Sequence, residues 1–182
     1  MGKVVFGMTI SLDGFVNDRN GDVSRLYPDL AALHESELLA ESMRTTGAVV
    51  MGRHSYDMAN GDFTGYEYQV PIFVLTHYVP ETVAKGENGN LKFNFVTEGI
   101  ESAIQQAKAA AGAKDVTMVG GVDAAQQAIE AELVDEIQIS IMPILFGEGL
   151  RLFEHLGKEV KLEKIKVVDA AERTDLVFRV VK

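Results

Sequence analysis

The 182-residue sequence predicts an α/β fold in which helices cover both faces of a mostly parallel mixed sheet. Apolar segments of strand length alternate with helical segments through the middle of the chain, as in sheets whose parallel strands are joined by helices. Two β segments with no helix between them close the chain, around 162–168 and 176–181, and predict an antiparallel C-terminal edge. No repeat or linker interrupts the pattern, so we expect one domain spanning 1–182.

The first half of the chain contains four segments of strand length and one long helical segment. The strands are short, apolar and bounded by glycine, proline or polar residues. Pro28–Asp29 opens the helix, since both residues suit a first helical turn. Residues 57–69 are polar and glycine-rich, which predicts a surface loop. In chain order we expect a buried strand at Val4–Ile10, turns at Asp13–Gly14 and Asn20–Gly21, a helix from Pro28 to about Thr46, and strands at Ala48–Met51, Pro71–Thr76 and Leu91–Phe95.

The second half continues the alternation with two amphipathic helices between apolar strands. Alanine and isoleucine recur at helical spacing in both helices, and Gly112 marks the end of the first. Phe146–Gly149 (FGEG) breaks the strand that follows the second helix. In chain order we expect a helix at Ile100–Ala111, a strand at Val116–Val119, a helix over Ala125–Leu133, a strand at Ile137–Ile141 and a short helix at Leu150–Leu156.

Composition and charge exclude several classes of function. The net charge is −10 and the pI about 4.8, and no run of Lys or Arg offers the basic surface that nucleic acids or anionic membranes require. No cysteine is present, which excludes disulfides, thiolate zinc sites and cysteine nucleophiles. The four histidines form no HExxH motif and no close pair, so we expect no metal site. Without a signal-peptide pattern, we expect a cytoplasmic protein.

The strongest local signal for a ligand is Gly120–Gly121, which joins a buried strand directly to a helix. Glycines let a backbone approach a ligand closely, and a helix N-terminus presents free N–H groups with a positive dipole end, an arrangement that suits a pyrophosphate. A tight strand-to-helix turn that binds nothing explains the same residues. The full GxGxxG fingerprint of dinucleotide-binding folds is absent.

Two further strand ends carry phosphate-suited side chains. Gly52, Arg53, His54 and Ser55 follow one strand, and Thr76–His77 follow another. Taken separately, the first is better explained as a helix N-terminus with surface charge, and His77 as an ordinary surface histidine. Ligands of open α/β sheets bind outside the carboxyl ends of the strands, so three such ends together favour a nucleotide site.

The loop after the first strand is a weaker candidate. Ser11 and Asp13 could face a substrate there, with Gly14 completing the turn. A plain Asp–Gly turn accounts for the same residues.

These segments, in this order, resemble the dihydrofolate-reductase-like superfamily. SLDGF, VVMGRHSYD, PIFVLTH, VTMVGGVDAAQQAI and LVDEIQISIMPILFGEGLRLF are most similar to the C-terminal reductase domain of the riboflavin-biosynthesis deaminase-reductase and its stand-alone relatives. The resemblance implies a three-layer α/β/α fold with a sheet of about eight strands, NADPH as cofactor, a small heterocyclic substrate and a homodimer.

The resemblance also implies a placement of the ligands on this chain, although it assigns no catalytic residue. The adenosine 2′-phosphate would lie near Arg53 and Thr76–His77, the pyrophosphate along Gly120–Asp123, and the nicotinamide beside the first strand. The implied cofactor-binding residues are Thr9, Ile10, Gly52, Arg53, His54, Ser55, Thr76, His77, Val119, Gly120, Gly121, Val122 and Asp123. The implied substrate-binding residues are Ser11, Asp13, Gly14 and Glu35.

The function implied is an NADPH-dependent reductase most like the 5-amino-6-(5-phosphoribosylamino)uracil reductase of riboflavin biosynthesis. Two departures keep alternatives open. The riboflavin enzymes usually carry an acidic DDP-type stretch, followed by an Arg, where the substrate phosphate is handled. That stretch is absent from this sequence, and no Lys or Arg occurs between Arg53 and Lys85. The acidic residue that dihydrofolate reductases carry on the first helix has no clear counterpart. A dihydrofolate or pterin reductase, a non-catalytic nucleotide- or flavin-binding protein, and an α/β domain without a cofactor remain as alternatives.

Overall fold

A computed structural model describes residues 2–28, 30–34, 36–170 and 172–182 of the chain. Their strands form one eight-stranded sheet in the order β4-β3-β2-β5-β1-β6-β8-β7. The bounds are β1 Val4–Ser11, β2 Thr46–Gly52, β3 Ile72–Leu75, β4 Phe93–Val96, β5 Asp115–Val119, β6 Glu136–Met142, β7 Leu162–Ala170 and β8 Arg173–Val180.

The direction of the strands confirms the predicted fold class. All pairings among β1 to β6 are parallel. β8 runs antiparallel to both of its neighbours, β6 and β7, and so forms the antiparallel C-terminal edge. Parallel neighbours need crossover connections, which explains why helical segments separate the strands of the middle of the chain.

Among the described residues, five α-helices connect or flank the strands: α1 Leu30–His34, α2 Glu37–Thr45, α3 Arg53–Asp57, α4 Ile100–Ala111 and α5 Val122–Glu130. The continuous helix expected from Pro28 to Thr46 is wrong. Ser36 has an extended backbone, and its hydroxyl accepts a hydrogen bond from the N–H of Leu39, so it caps a new helix. In the described ranges no helix is long and apolar enough to cross a membrane.

Each face of the sheet carries its own apolar cluster. On one face, alternate residues of the central strands pack against the inner sides of α4 and α5, with Phe6 and Ile104 almost fully buried. On the other face, Val49 and Met51 of β2 pack under α2, α3 and the segment that follows α3. Parts of β1, β6 and β8 on this second face line an open cleft.

The segment 57–69 is less of a surface loop than its composition predicts. Phe63 and Tyr68 are buried, because their rings pack against the sheet beside Tyr56 and Phe93. The glycines and polar residues between them are exposed, so the segment is a wall of the fold anchored by aromatic side chains.

The helix expected at Leu150–Leu156 is also wrong. The N–H of Leu150 donates to Asn17 Oδ1, and the N–H of Leu152 donates to the carbonyl of Gly14. These bonds to the loop after β1 replace the local ones that a helix would make.

Candidate functional site

A cleft of about 1250 Å³ opens over the uncovered part of the sheet. Its floor is formed by alternate residues of neighbouring strands, Gly7 and Thr9 of β1 with Gln138 and Ser140 of β6. Residues of α2, of α3 and of the aromatic segment 58–68 form its wall. The carboxyl ends of β1, β2, β3 and β5 lie at its rim, where ligands of open α/β sheets bind.

Gly7 leaves free space in the middle of this floor. A Cβ added there would meet nothing within 4 Å in the part of the chain that the structure describes. Its register partner Gln138 also lines the cleft. A flat ligand can therefore lie directly on the backbone of β1.

The ends of β2 and β5 meet at a corner built from glycines. Gly120 and Gly121 both have positive φ, +72° and +84°. A Cβ on Gly120 would collide with Ser55 Oγ, and a Cβ on Gly121 would lie 3.0 Å from the Cα of Gly52. Only backbone fits at this corner, which brings three consecutive peptide groups to the rim of the cleft.

α5 begins at the glycine corner and points its N-terminus at the cleft. Gly121 is the N-cap residue, and no side chain caps the helix among the described residues. The carbonyl of Gly121 accepts the N–H of Ala125, and the preceding N–H groups of the first turn are those that a helix leaves without helical partners. Val122 and Asp123 of this turn line the cleft, and Asp123 is exposed, so its carboxylate reduces the positive field there.

Arg53 is held in a fixed position at the same rim. Its Nε donates to both carboxylate oxygens of Asp57, at 2.8 and 3.0 Å, and this hydrogen bond raises the pKa of Arg53 above its ordinary value. One NH donates to Thr76 Oγ1 and to the carbonyl of Tyr78, whose ring centroid lies 5.4 Å from the guanidinium carbon. The Nε side of the guanidinium is thus engaged, and its outer edge keeps N–H donors for an anion.

The structure brings the sequence-predicted cofactor residues together, with one exception. Ile10 is buried in the apolar cluster on the opposite face. The exception follows from strand alternation, because Thr9 and Ile10 point to opposite faces of the sheet. The residues that line the cleft are Thr9, Gly52, Arg53, His54, Ser55, Thr76, His77, Val119, Gly120, Gly121, Val122 and Asp123.

The loop Ser11–Gly14 does not line the cleft. Asp13 accepts hydrogen bonds from Ser11 Oγ at 2.6 Å and from the N–H groups of Phe146 and Gly147 at 3.1 and 2.8 Å. The Ser11 hydroxyl and these N–H groups lower the pKa of Asp13 to about 2. Ser11, Asp13 and Gly14 thus tie this loop to the segment after β6, a structural role. Glu35 lies outside the described residues, and its neighbour Ser36 is the α2 cap that lines the cleft.

Several polar residues of the cleft were not found from the sequence. Gln138 and Ser140 are polar residues that alternate with isoleucines in β6, and that alternation was a visible signal for a floor. Asp175 of β8 lines the cleft although it is buried, and no local motif marks it. Tyr66 and Tyr68 lie in the wall, and burial raises the pKa of both phenols.

Residues 2–176 match the family model of the RibD C-terminal domain. The chain belongs to the RibD C-terminal domain family. This confirms the resemblance that the sequence motifs carried.

Two curated relatives are similar to this chain over most of its length. The uncharacterized protein YyaP of Bacillus subtilis is 23% identical over 170 residues, which cover 90% of this chain and 86% of YyaP. The uncharacterized protein YwjB of the same organism is 22% identical over 160 residues, which cover 88% of this chain and 87% of YwjB.

Solved structures of the RibD and dihydrofolate reductase type share the fold. A protein from Shewanella sp. PV-4, provisionally assigned to riboflavin biosynthesis, has a TM-score of 0.79 at 25% identity, with 99% of each chain covered. The Thermotoga maritima deaminase/reductase has a TM-score of 0.75 at 14% identity, and this chain covers 57% of it. Enterococcus faecalis dihydrofolate reductase has a TM-score of 0.66 at 17% identity, with 98% of it covered. The dihydrofolate-reductase-like fold is thereby confirmed.

Proposed function

We propose that this chain is an NADPH-dependent reductase that transfers hydride to a planar heterocycle of pyrimidine or pterin type. The observation that carries the proposal is the glycine corner of Gly52, Gly120 and Gly121, which opens on the same cleft rim as Arg53. A corner that accepts no side chain, next to an uncapped helix N-terminus and a fixed guanidinium, fits a dinucleotide phosphate backbone.

The residues present would hold NADPH in two places at this rim. The N–H groups of Gly121, Val122 and Asp123 would face the pyrophosphate, and the outer edge of Arg53 would bind the 2′-phosphate with Ser55 or Thr76 beside it. When bound, NADPH supplies the hydride. The Enterococcus faecalis dihydrofolate reductase with this fold is a complex with NADP(H), which supports the choice of cofactor.

The chain's own residues would position the substrate and exclude water. Gly7 offers a floor without side chains, on which flat rings can lie against backbone. Ser42 and Tyr68 share a hydrogen bond of 2.9 Å in the wall, and the raised pKa of Tyr68 keeps its phenol neutral and able to donate. Orientation and a dry site are the contributions that a protein makes to hydride transfer.

The charges of the cleft limit which substrates it can bind. Arg53 is the one Lys or Arg among the described residues that line it, and the proposal gives Arg53 to the cofactor. No cation is then left for a second phosphate, although a phosphate is usually bound by charge-assisted hydrogen bonds. We therefore propose a substrate without a phosphate anchored in this cleft, rather than the phosphoribosyl pyrimidine of the riboflavin pathway.

NADPH titration followed by fluorescence tests the proposal, with the oxidation of NADPH measured on several substrates. We expect saturable binding to the wild-type chain and turnover with a non-phosphorylated aminopyrimidine or with dihydrofolate. Failure to bind NADPH at about millimolar concentration would overturn the proposal that the chain is a reductase. A Kd of about 1 mM corresponds to a binding free energy of about −4 kcal/mol. Binding without oxidation by any of these substrates would instead favour a non-catalytic nucleotide-binding protein.

A further inference from the structure

Asp175 is a buried carboxylate on the floor of the cleft that the cofactor residues do not explain. Its side chain lines the cleft while the residue is only 4% exposed. Thr9 of β1 is paired with Ser140 of β6, and Ser140 is paired with Asp175 of β8. Residues paired in register point to the same face, so these three side chains form one row across the floor.

The carboxylate of Asp175 is only partly satisfied by the protein. Ser140 Oγ donates to its Oδ1 at 2.5 Å. Among the described residues, none donates a hydrogen bond to Oδ2. Burying a carboxylate is costly unless its oxygens are hydrogen-bonded, so a carboxylate placed on a cleft floor with one open oxygen suits a ligand that donates.

The neighbours of Asp175 favour a neutral or cationic ligand with N–H groups. Gln138 lies two residues before Ser140 on the same face of β6, and its amide can both donate and accept. Arg173 is buried on the same face of β8 but does not line the cleft. The described groups that line the cleft around Asp175 are its own carboxylate, neutral hydroxyls and one amide, and the carboxylate would repel a phosphate or carboxylate group.

We propose that Asp175 anchors the substrate by accepting N–H groups from the edge of a nitrogen heterocycle, with Ser140 and Gln138 completing the recognition. The proposal rests on the proposed reductase and names the chemistry of its substrate, a ring such as an aminopyrimidine with adjacent N–H donors. Two strand spacings of ~4.7–4.9 Å separate the backbones of Asp175 and Thr9, so a ring held by Asp175 lies beside the floor of β1.

Two small probes of the same shape test this anchor. 2,4-Diaminopyrimidine carries N–H donors, and 2,4-dimethylpyrimidine has methyl groups at the same positions and none. We expect calorimetry on the wild-type chain, with and without NADPH, to show binding of the diamino probe. The dimethyl probe should bind at least about tenfold more weakly.

Asp175→Asn keeps the shape of the side chain and an oxygen for Ser140. We expect this substitution to lower the affinity for the diamino probe about tenfold, because one charged acceptor has become a donor. The affinity for NADPH should stay within about twofold of the wild-type value. Asp169→Asn makes the same charge change on the exposed side of the neighbouring strand, and we expect no effect on either probe.

The outcomes separate this proposal from the reductase. Equal affinity of the wild-type chain for both probes, or unchanged affinity of Asp175→Asn for the diamino probe, overturns the anchor while NADPH binding can stand. If the chain binds the diamino probe selectively but does not bind NADPH, the result supports the Asp175 anchor and contradicts the proposed reductase. If Asp175→Asn does not fold by circular dichroism, Ser140→Ala and the wild-type probe comparison decide, since removing the Ser140 hydroxyl also disturbs the anchor.

Discussion

Gly52 and Gly121 meet backbone to backbone at the ends of two parallel strands, where a Cβ on Gly52 would lie 3.1 Å from the Cα of Gly121. Each glycine is the N-cap of the helix that follows its strand, α3 or α5. The two helix starts can therefore approach each other only because neither residue has a side chain. This contact places the Gly120–Gly121 turn and Arg53 at one rim, so the nucleotide site depends on a packing relationship rather than on a single motif.

We expect Gly120→Ala to destabilise the fold through both strain and collision. Alanine at φ +72° costs about 1–2 kcal/mol, and its Cβ would collide with Ser55 Oγ. Gly112→Ala is the matched control, because its φ is +64° and a Cβ there meets no described atom within 4 Å. Urea denaturation should show a larger loss for Gly120→Ala than for Gly112→Ala. A loss of equal size would mean that Ser55 does not crowd the corner.

We expect Arg53→Ala to weaken NADPH selectively. A hydrogen bond to a charged group contributes about 1.5–3 kcal/mol, so the Kd for NADPH should rise about 10- to 100-fold while the Kd for NADH changes little. Arg179→Ala is the control, since Arg179 is likewise paired with a carboxylate, that of Glu163, but lies outside the cleft. Parallel losses of NADPH and NADH affinity would show that Arg53 does not bind the 2′-phosphate.

Most of the strands were predictable from the sequence because they are apolar or alternating runs bounded by turn residues. The break between α1 and α2 was not, because it depends on the capping hydrogen bond of Ser36 within a helical pattern. The segment 150–156 was misassigned because its backbone partners lie in the distant loop 14–17. Local patterns carry no information about such partners.

The candidate site likewise contains residues that the sequence reveals and a residue that it does not. The glycine corner and Arg53 follow strands directly and are visible as motifs. Asp175 reaches the floor only through the register of β8 on β6, where it meets Ser140 from 35 residues away. Register is set by which residues of two strands pair, so an isolated aspartate in an apolar strand does not disclose it.

We expect Gly7→Ala to separate stability from ligand binding. Alanine in a strand is about 0.5–1 kcal/mol more favourable than glycine, and the added methyl has free space. The same methyl would project into the cleft where a flat ligand would lie, so NADPH or probe affinity should fall. Gly89→Ala adds a methyl to open space outside the cleft, and we expect it to change neither affinity. Full ligand affinity in Gly7→Ala would show that ligands do not lie on β1.

We expect the chain to form a homodimer through β7. This edge strand is nine residues long and exposes Leu162, Ile165 and Val167 by 40%, 44% and 52%. Long apolar edges pair with other chains unless they are covered. Light scattering coupled to size-exclusion chromatography should give twice the chain mass for the wild type and the single mass for Ile165→Glu/Val167→Glu. A monomeric wild type would contradict this prediction.

The loop after β1 should make stability depend on acidic pH through Asp13. The Ser11 hydroxyl, together with the N–H groups of Gly147 and Phe146, lowers the pKa of Asp13 from 3.8 to about 2. A carboxyl whose pKa is lower in the folded state contributes stability above its unfolded pKa, and this contribution is lost as the pH falls through the folded pKa. Wild type should therefore be more stable than Asp13→Asn at neutral pH, and the difference should shrink between about pH 4 and about pH 2.

Ser11→Ala provides the control for the cause of this dependence. The Ser11 hydroxyl is the largest contributor to the lowered pKa of Asp13. In a Ser11→Ala background, the loss of stability caused by Asp13→Asn should therefore be smaller and should vanish at a higher pH. Urea denaturation of the four chains at several pH values measures the coupling between the two residues. If the difference in unfolding free energy between wild type and Asp13→Asn stays constant over this pH range, the Asp13 carboxyl does not fasten the loop to the segment after β6.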